Sequence, residues 1–137
     1  MNPTIKKLGY IPEAIMINVP NAFFEHDGKI VGDRELAFRR YYEWMGTARD
    51  KEGEGSFYHF ISSVPAVETI TTVYVCFKGY VQYKAILVKF MKNEPVDLPD
   101  YKHPARDWCV TTGPVVKAPE GMVKKGFRGF QYTRELF

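Results

Sequence analysis

Trp108 and the run Lys124-Lys125-Gly126-Phe127-Arg128-Gly129-Phe130-Gln131-Tyr132 interleave flat aromatic rings with basic side chains and glycines. Rings can stack on bases and cations can neutralise phosphates, the two properties a single-stranded nucleic-acid surface needs. On an extended strand Arg128, Phe130 and Tyr132 share one face, which sets a guanidinium beside two rings. Gly126 and Gly129 bracket Phe127 and Arg128, and such a pair lets the backbone bend sharply or approach a ligand closely. The expected contacts are Lys124, Lys125 and Arg128 on phosphates, with Trp108 and Tyr132 stacked on bases. The plain structural reading of the same segment is a packed last strand with a bulge and a solvated charged edge.

Other chemistry has little support. The three histidines, His26, His59 and His103, show no metal-ligand spacing, and Cys76 and Cys109 stand apart from them, so no metal site is expected. The chain has no phosphate-binding Gly-Lys-Ser/Thr loop, no Gly-x-Gly-x-x-Gly opening a helix and no Gly-x-Ser-x-Gly elbow. No catalytic residue and no cofactor are assigned. His59, inside an aromatic strand, reads first as a hydrogen-bonded structural imidazole. His59 or a carboxylate is also the base that a small hydrolase acting on a nucleotide or amide would use, which is the alternative from the enzyme class.

The positive charge is unevenly placed. From Lys102 to Phe137 seven Lys/Arg face three Asp/Glu, whereas the preceding residues carry twelve against thirteen. A cationic last quarter fits a polyanionic partner, RNA or single-stranded DNA. Nine Tyr and ten Phe supply large apolar areas that favour a β-rich core. The same aromatic excess would serve a homodimer interface in a protein–protein module of the kind phages and mobile elements carry. Cys76 and Cys109 each lie in an apolar run and are expected to be reduced and buried. No apolar run is long enough to cross a bilayer and the first residues lack a secretory pattern, so a cytoplasmic protein without membrane contact is expected. The length fits one domain over residues 1–137.

The elements that would position these residues follow from periodicity. Ala14 to Val19, between Pro12 and Pro20, is a short buried strand. Asn21 to Gly32 reads as an irregular loop with Gly28, which a short strand at Lys29 to Val31 could close. Asp33 is a suitable N-cap for a helix over Arg34 to Met45, where Phe38, Tyr41, Tyr42 and Met45 fall on one face and Gly46 ends it. Thr47 to Gly55 is a polar loop. From Ser56 the pattern turns to strands: Phe57 to Ile61, Thr71 to Phe77 and Tyr80 to Met91, the last two joined as a hairpin by Lys78-Gly79. Asn93 to Pro104 reads as a proline-flanked connector, Asp107 to Thr111 as a strand, Gly113-Pro114 as a turn, Val115-Val116 as a short edge and Arg128 to Thr133 as the last strand. One main amphipathic helix and several long antiparallel strands give α+β. The strands are expected to close into a small curved barrel, because closure removes exposed edges.

The helix beginning at Gly32-Asp33-Arg34, the strand pair Val73-Tyr74-Val75-Cys76-Phe77-Lys78-Gly79-Tyr80-Val81-Gln82-Tyr83-Lys84-Ala85 and the late strand with Trp108 together resemble PUA-type pseudobarrels, including the ASCH and EVE groups. The resemblance covers Ser56 to Tyr132. It implies a PUA-like β-barrel that recognises RNA or a modified base in a cleft between barrel and helix. The Gly-x-Lys-x-x-Glu-x-Arg signature of ASCH domains is missing, and no catalytic role carries over. The leading expectation is a non-enzymatic binding domain for nucleic acid or a nucleotide-like ligand.

Overall fold

Asn2 opens a six-residue helix, α1 (Pro3–Leu8), by accepting the backbone N–H groups of Thr4 and Ile5 on its side-chain oxygen. Pro3 suits the first turn, where its missing N–H costs nothing, and Gly9 stops the helix at φ 78°. The computed structural model describes residues 2–19, 25–26, 29–30, 56–98, 101–124 and 129–137. The helix expected over Arg34 to Met45 and the loop expected over Thr47 to Gly55 lie outside the described residues.

Among the described residues eight strands follow: β1 (Ala14–Asn18), β2 (Glu25–His26), β3 (Lys29–Ile30), β4 (Ser56–Phe60), β5 (Thr72–Phe77), β6 (Tyr80–Leu98), β7 (Tyr101–Lys117) and β8 (Phe130–Thr133). β2 and β3 pair only with each other, and the remaining six form a sheet in the order β4-β7-β6-β5-β1-β8. β1 runs parallel to β5, and every other pairing is antiparallel. The expected α+β barrel is therefore corrected to a mostly β, open mixed sheet, in which β4 and β8 stand at opposite edges. Closure is one way to remove sheet edges. Here the edges are instead kept to five and four residues, which limits the unpaired backbone they present.

The expected hairpin is present. β5 and β6 meet through Lys78 and Gly79, both at positive φ (50° and 83°), as a two-residue hairpin turn requires. The boundaries beyond Met91 differ from expectation. Asn93 to Pro104 is not a connector but the end of β6 and the start of β7, and Gly113-Pro114 is not a turn but an interior part of β7. The register between these two strands slips at four places, among them Met91/Glu94, Glu94/Val96 and Lys84/Ile86. Pro95, Pro104 and Gly113-Pro114 all fall where the ladder slips. A bulge tolerates a residue without a donor, and the slips bend the long ribbon.

The sheet buries apolar residues on both faces. Ile15, Ile17, Val73, Val75, Phe57 and Cys109 lie on one face, where Val67 and Ile70 cover them and Ile5 of α1 packs alongside. Ala14, Met16, Tyr74, Cys76 and Val81 form the second cluster with Ala118, Met122 and Phe137. The alternation along β1 and β5 follows the two-residue period of a strand. Tyr74 anchors the last residues by accepting the Leu136 N–H at 2.7 Å, and Lys84 Nζ donates to the Phe137 carbonyl at 2.7 Å. Among the described residues no helix is long and apolar enough to cross a membrane.

Candidate functional site

The end of the β5–β6 hairpin carries a groove where the chain after β7 continues alongside β6 as far as the turn. Ala118 N–H donates to Gln82 O, Val81 N–H to Met122 O and Lys124 N–H to Gly79 O, at 2.8, 2.8 and 2.7 Å. Val123 forms an isolated bridge with Tyr80. Gln82 is an extra residue in β6, inserted where Val75 pairs with Tyr83 but Cys76 pairs with Val81, and its side chain donates to Phe77 O. Gly121 turns the covering segment at φ 77°. The result is a concavity of about 450 Å³, within the range of small-molecule sites.

Its lining brings together Lys78, Tyr80, Gln82, Tyr83, Lys117 and Glu120. Tyr80 is 45% exposed and presents an aromatic face, while Tyr83 is buried in the floor. Lys117 stands opposite Tyr83 in the β6–β7 ladder and is exposed, as is Glu120. Lys78 Nζ sits 5.8 Å from the centre of the Phe77 ring. The chemistry on offer is two ammonium groups, one carboxylate and one accessible ring.

Of the residues expected from sequence, the described ones, Trp108, Lys124 and Tyr132, do not form one surface. Trp108 is fully buried and its indole N–H donates to Glu94 O at 2.7 Å. Phe60 lies against its ring at 4.5 Å between centroids, with Tyr58 and His103 edge-on. A side chain with no exposed surface offers no face to a base, so Trp108 is removed from the candidate interface and placed in the packing of β4 on β7. Tyr132 is half-buried, meets Phe130 edge-on at 5.1 Å and accepts the Ala66 N–H on its hydroxyl at 2.9 Å. Phe130 and Tyr132 pack against the cluster around Ile15 and Val73. Four strand spacings separate β7 from β8, about 19 Å at the usual interval. Lys124 builds the groove through its backbone, and its ammonium acts on the buried Cys76 thiol. Lys125 and Arg128 lie outside the described residues.

The remaining reactive groups are buried. His59 shares a hydrogen bond between Nε2 and Thr111 Oγ1 at 3.3 Å, and burial lowers its pKa to about 4. It is a structural imidazole facing the core, not a base open to a substrate from solution. Cys76 and Cys109 are free thiols without solvent exposure. Burial pushes Cys76 up to about 11, with Lys124 acting against it, and pushes Cys109 up to about 12. Among the described residues no group of three His, Cys, Asp or Glu side chains could hold a metal ion.

No protein-family model matches the chain, and no curated protein or solved structure is significantly similar to it.

Lys78, Tyr80, Lys117 and Glu120 were not singled out by sequence reasoning. The available signal was the Lys78-Gly79 turn itself. It places Tyr80 at a strand start, and Pro119-Glu120-Gly121 is a turn-forming run.

Proposed function

We propose that this chain is a non-enzymatic binding domain for single-stranded nucleic acid or a nucleotide-like ligand, with the groove at the β5–β6 tip as its site. The observation that carries this reading is the meeting of Lys78, Lys117 and the exposed Tyr80 ring in one concavity of ligand size. Phosphate contact by ammonium groups and stacking on a tyrosine are the two terms such binding uses. Lys125 and Arg128 follow the groove wall directly in sequence and add to the same cationic segment. The test is the affinity of a fluorescent single-stranded oligonucleotide measured across a salt series. Tyr80→Ala should lose about 1–3 kcal/mol with the salt slope unchanged. Absence of salt-sensitive binding in the intact protein would end the reading.

Exposed Ile86 and Val116 favour a second reading, a homodimer. Ile86 pairs with Thr112 and Lys84 with Val116, so the two apolar side chains stand on one face of the β6–β7 ribbon. Sedimentation equilibrium of the intact chain and of Ile86→Lys decides it. A dimer that the substitution dissociates supports it, and a wild-type monomer excludes it.

A further inference from the structure

We infer that the groove takes one guanine-bearing nucleotide unit, with Glu120 on the base edge, Tyr80 against the base face and Lys78 and Lys117 at the phosphate. This rests on the groove being the binding site.

The size of the cavity limits the ligand. About 450 Å³ lies toward the low end of small-molecule sites, roughly 300–1,000 Å³. Non-specific single-strand binders instead track several nucleotides along an extended groove. Here the segment from Ala118 to Lys124 is hydrogen-bonded to Gln82, Val81 and Gly79 and so runs beside β6 only as far as the hairpin turn, which keeps the concavity short.

The charge pattern limits it further. A groove that met only phosphate would gain from cations alone, and a carboxylate in it would weaken binding. Glu120 is exposed in the lining, and its side chain has no hydrogen-bond or ion-pair partner among the described residues. The same holds for the side chains of Lys117 and Tyr80, so the carboxylate is not neutralised by the lysine beside it in the lining. An ionised carboxylate is an acceptor only, with two oxygens that can take two parallel hydrogen bonds. Guanine alone among the four bases places two adjacent donors, N1–H and the 2-amino group, on its Watson–Crick edge. Adenine, cytosine and uracil offer a single donor there. Gln82 donates its side-chain N–H to Phe77 O, and Glu120 is the one anionic acceptor in the lining.

The experiment is calorimetric titration of the full chain with guanosine, adenosine, cytidine and uridine 5′-monophosphates, each alone. Guanosine monophosphate should bind about tenfold or more tighter than the others, the discrimination expected of a two-bond contact to a base edge. Glu120→Gln should erase most of that ratio while leaving the other three nucleotides bound as well or better, because a negative charge near the phosphate has gone. A purely structural role for Glu120 would weaken all four together and leave the ratio unchanged. A second arm uses short oligonucleotides of equal length with guanosine or adenosine at one end, competed by the free monophosphate. Preference confined to the free nucleotide identifies a small-molecule site, and preference carried by the oligonucleotide identifies recognition of a strand end. Equal binding of all four monophosphates overturns the guanine assignment but leaves the groove as a binding site. Salt-sensitive oligonucleotide binding with no monophosphate binding overturns the single-unit assignment alone. Binding of neither overturns the inference and the proposed function together.

Discussion

Replacing Trp108 separates its structural role from the stacking role its neighbourhood in the sequence suggests. The ring is fully buried, lies 4.5 Å from Phe60 between centroids and donates its indole N–H to Glu94 O at 2.7 Å. Trp108→Ala removes the whole buried ring, and large-to-small changes of this kind cost about 3–5 kcal/mol. That is a large share of the roughly 5–15 kcal/mol that holds a domain together, so this variant can unfold outright. Trp108→Phe keeps most of the ring stack but deletes the donor to Glu94 O. Its cost should be about 1–3 kcal/mol, the penalty for a carbonyl left without its partner. Urea unfolding followed by circular dichroism reads both variants, with the midpoint shifted and the slope constant if the native fold is kept. Oligonucleotide affinity of folded Trp108→Phe should equal that of the parent chain. A stability loss below half a kcal/mol for Trp108→Ala, or a loss of affinity without loss of stability for Trp108→Phe, would refute the buried assignment.

Three further outcomes are expected. His59 has a folded pKa near 4 against an ordinary value near 6.5, so its neutral form favours the fold. Stability should be fully present above pH ~6.5 and fall, by roughly 3 kcal/mol in all, as pH drops toward 4, and the fall should be missing from a folded His59→Gln variant over the same window. Both thiols should resist a disulfide-exchange reagent in the native protein at pH ~8 and react together on denaturation, because pKa values of about 11 and about 12 leave almost no thiolate. Gly129 sits at φ 68°, and an added Cβ would lie 2.6 Å from Ser62 Oγ. Gly129→Ala should therefore cost about 1–3 kcal/mol in thermal or urea unfolding, with part recovered in the double variant that also carries Ser62→Ala. Full recovery would show that the backbone is not strained.

The central strands were legible because their signals are local. Thr72 to Phe77 is a β-branched and aromatic run, and a two-residue Lys78-Gly79 turn returns it into Tyr80. The buried strand of Ala14 to Asn18 was bounded by proline on both sides. What could not be read was the continuation of β6 and β7 through residues that usually break strands. Asn93 adopts φ 51° and its N–H donates to Asp107 Oδ1 at 2.8 Å, a bond across the ribbon that compensates for the broken ladder. Such compensation depends on a partner fourteen residues away and leaves no local pattern. Trp108 was misplaced for a related reason: an aromatic residue beside cations reads the same whether its ring faces a ligand or the sheet. The groove leaves no local pattern because its parts, Lys78, Tyr80, Lys117 and Glu120, meet only when the segment after β7 runs beside the start of β6. The parallel pairing of β1 with β5, which keeps the sheet mixed, is likewise a long-range contact.

The most direct test of the account compares two double substitutions of equal charge change. One is Lys78→Ala with Lys117→Ala, both in the groove, and the other is Lys89→Ala with Lys92→Ala, both exposed on β6 away from it. Affinity for a single-stranded oligonucleotide is measured across a salt series for each. The groove pair should flatten the logarithmic salt slope by about 0.7 per lost phosphate contact and weaken binding across all sequences, while the β6 pair leaves the slope near that of the parent. Equal flattening by both pairs would mean that binding follows overall charge, and an unchanged slope for the groove pair would contradict the assignment of the site.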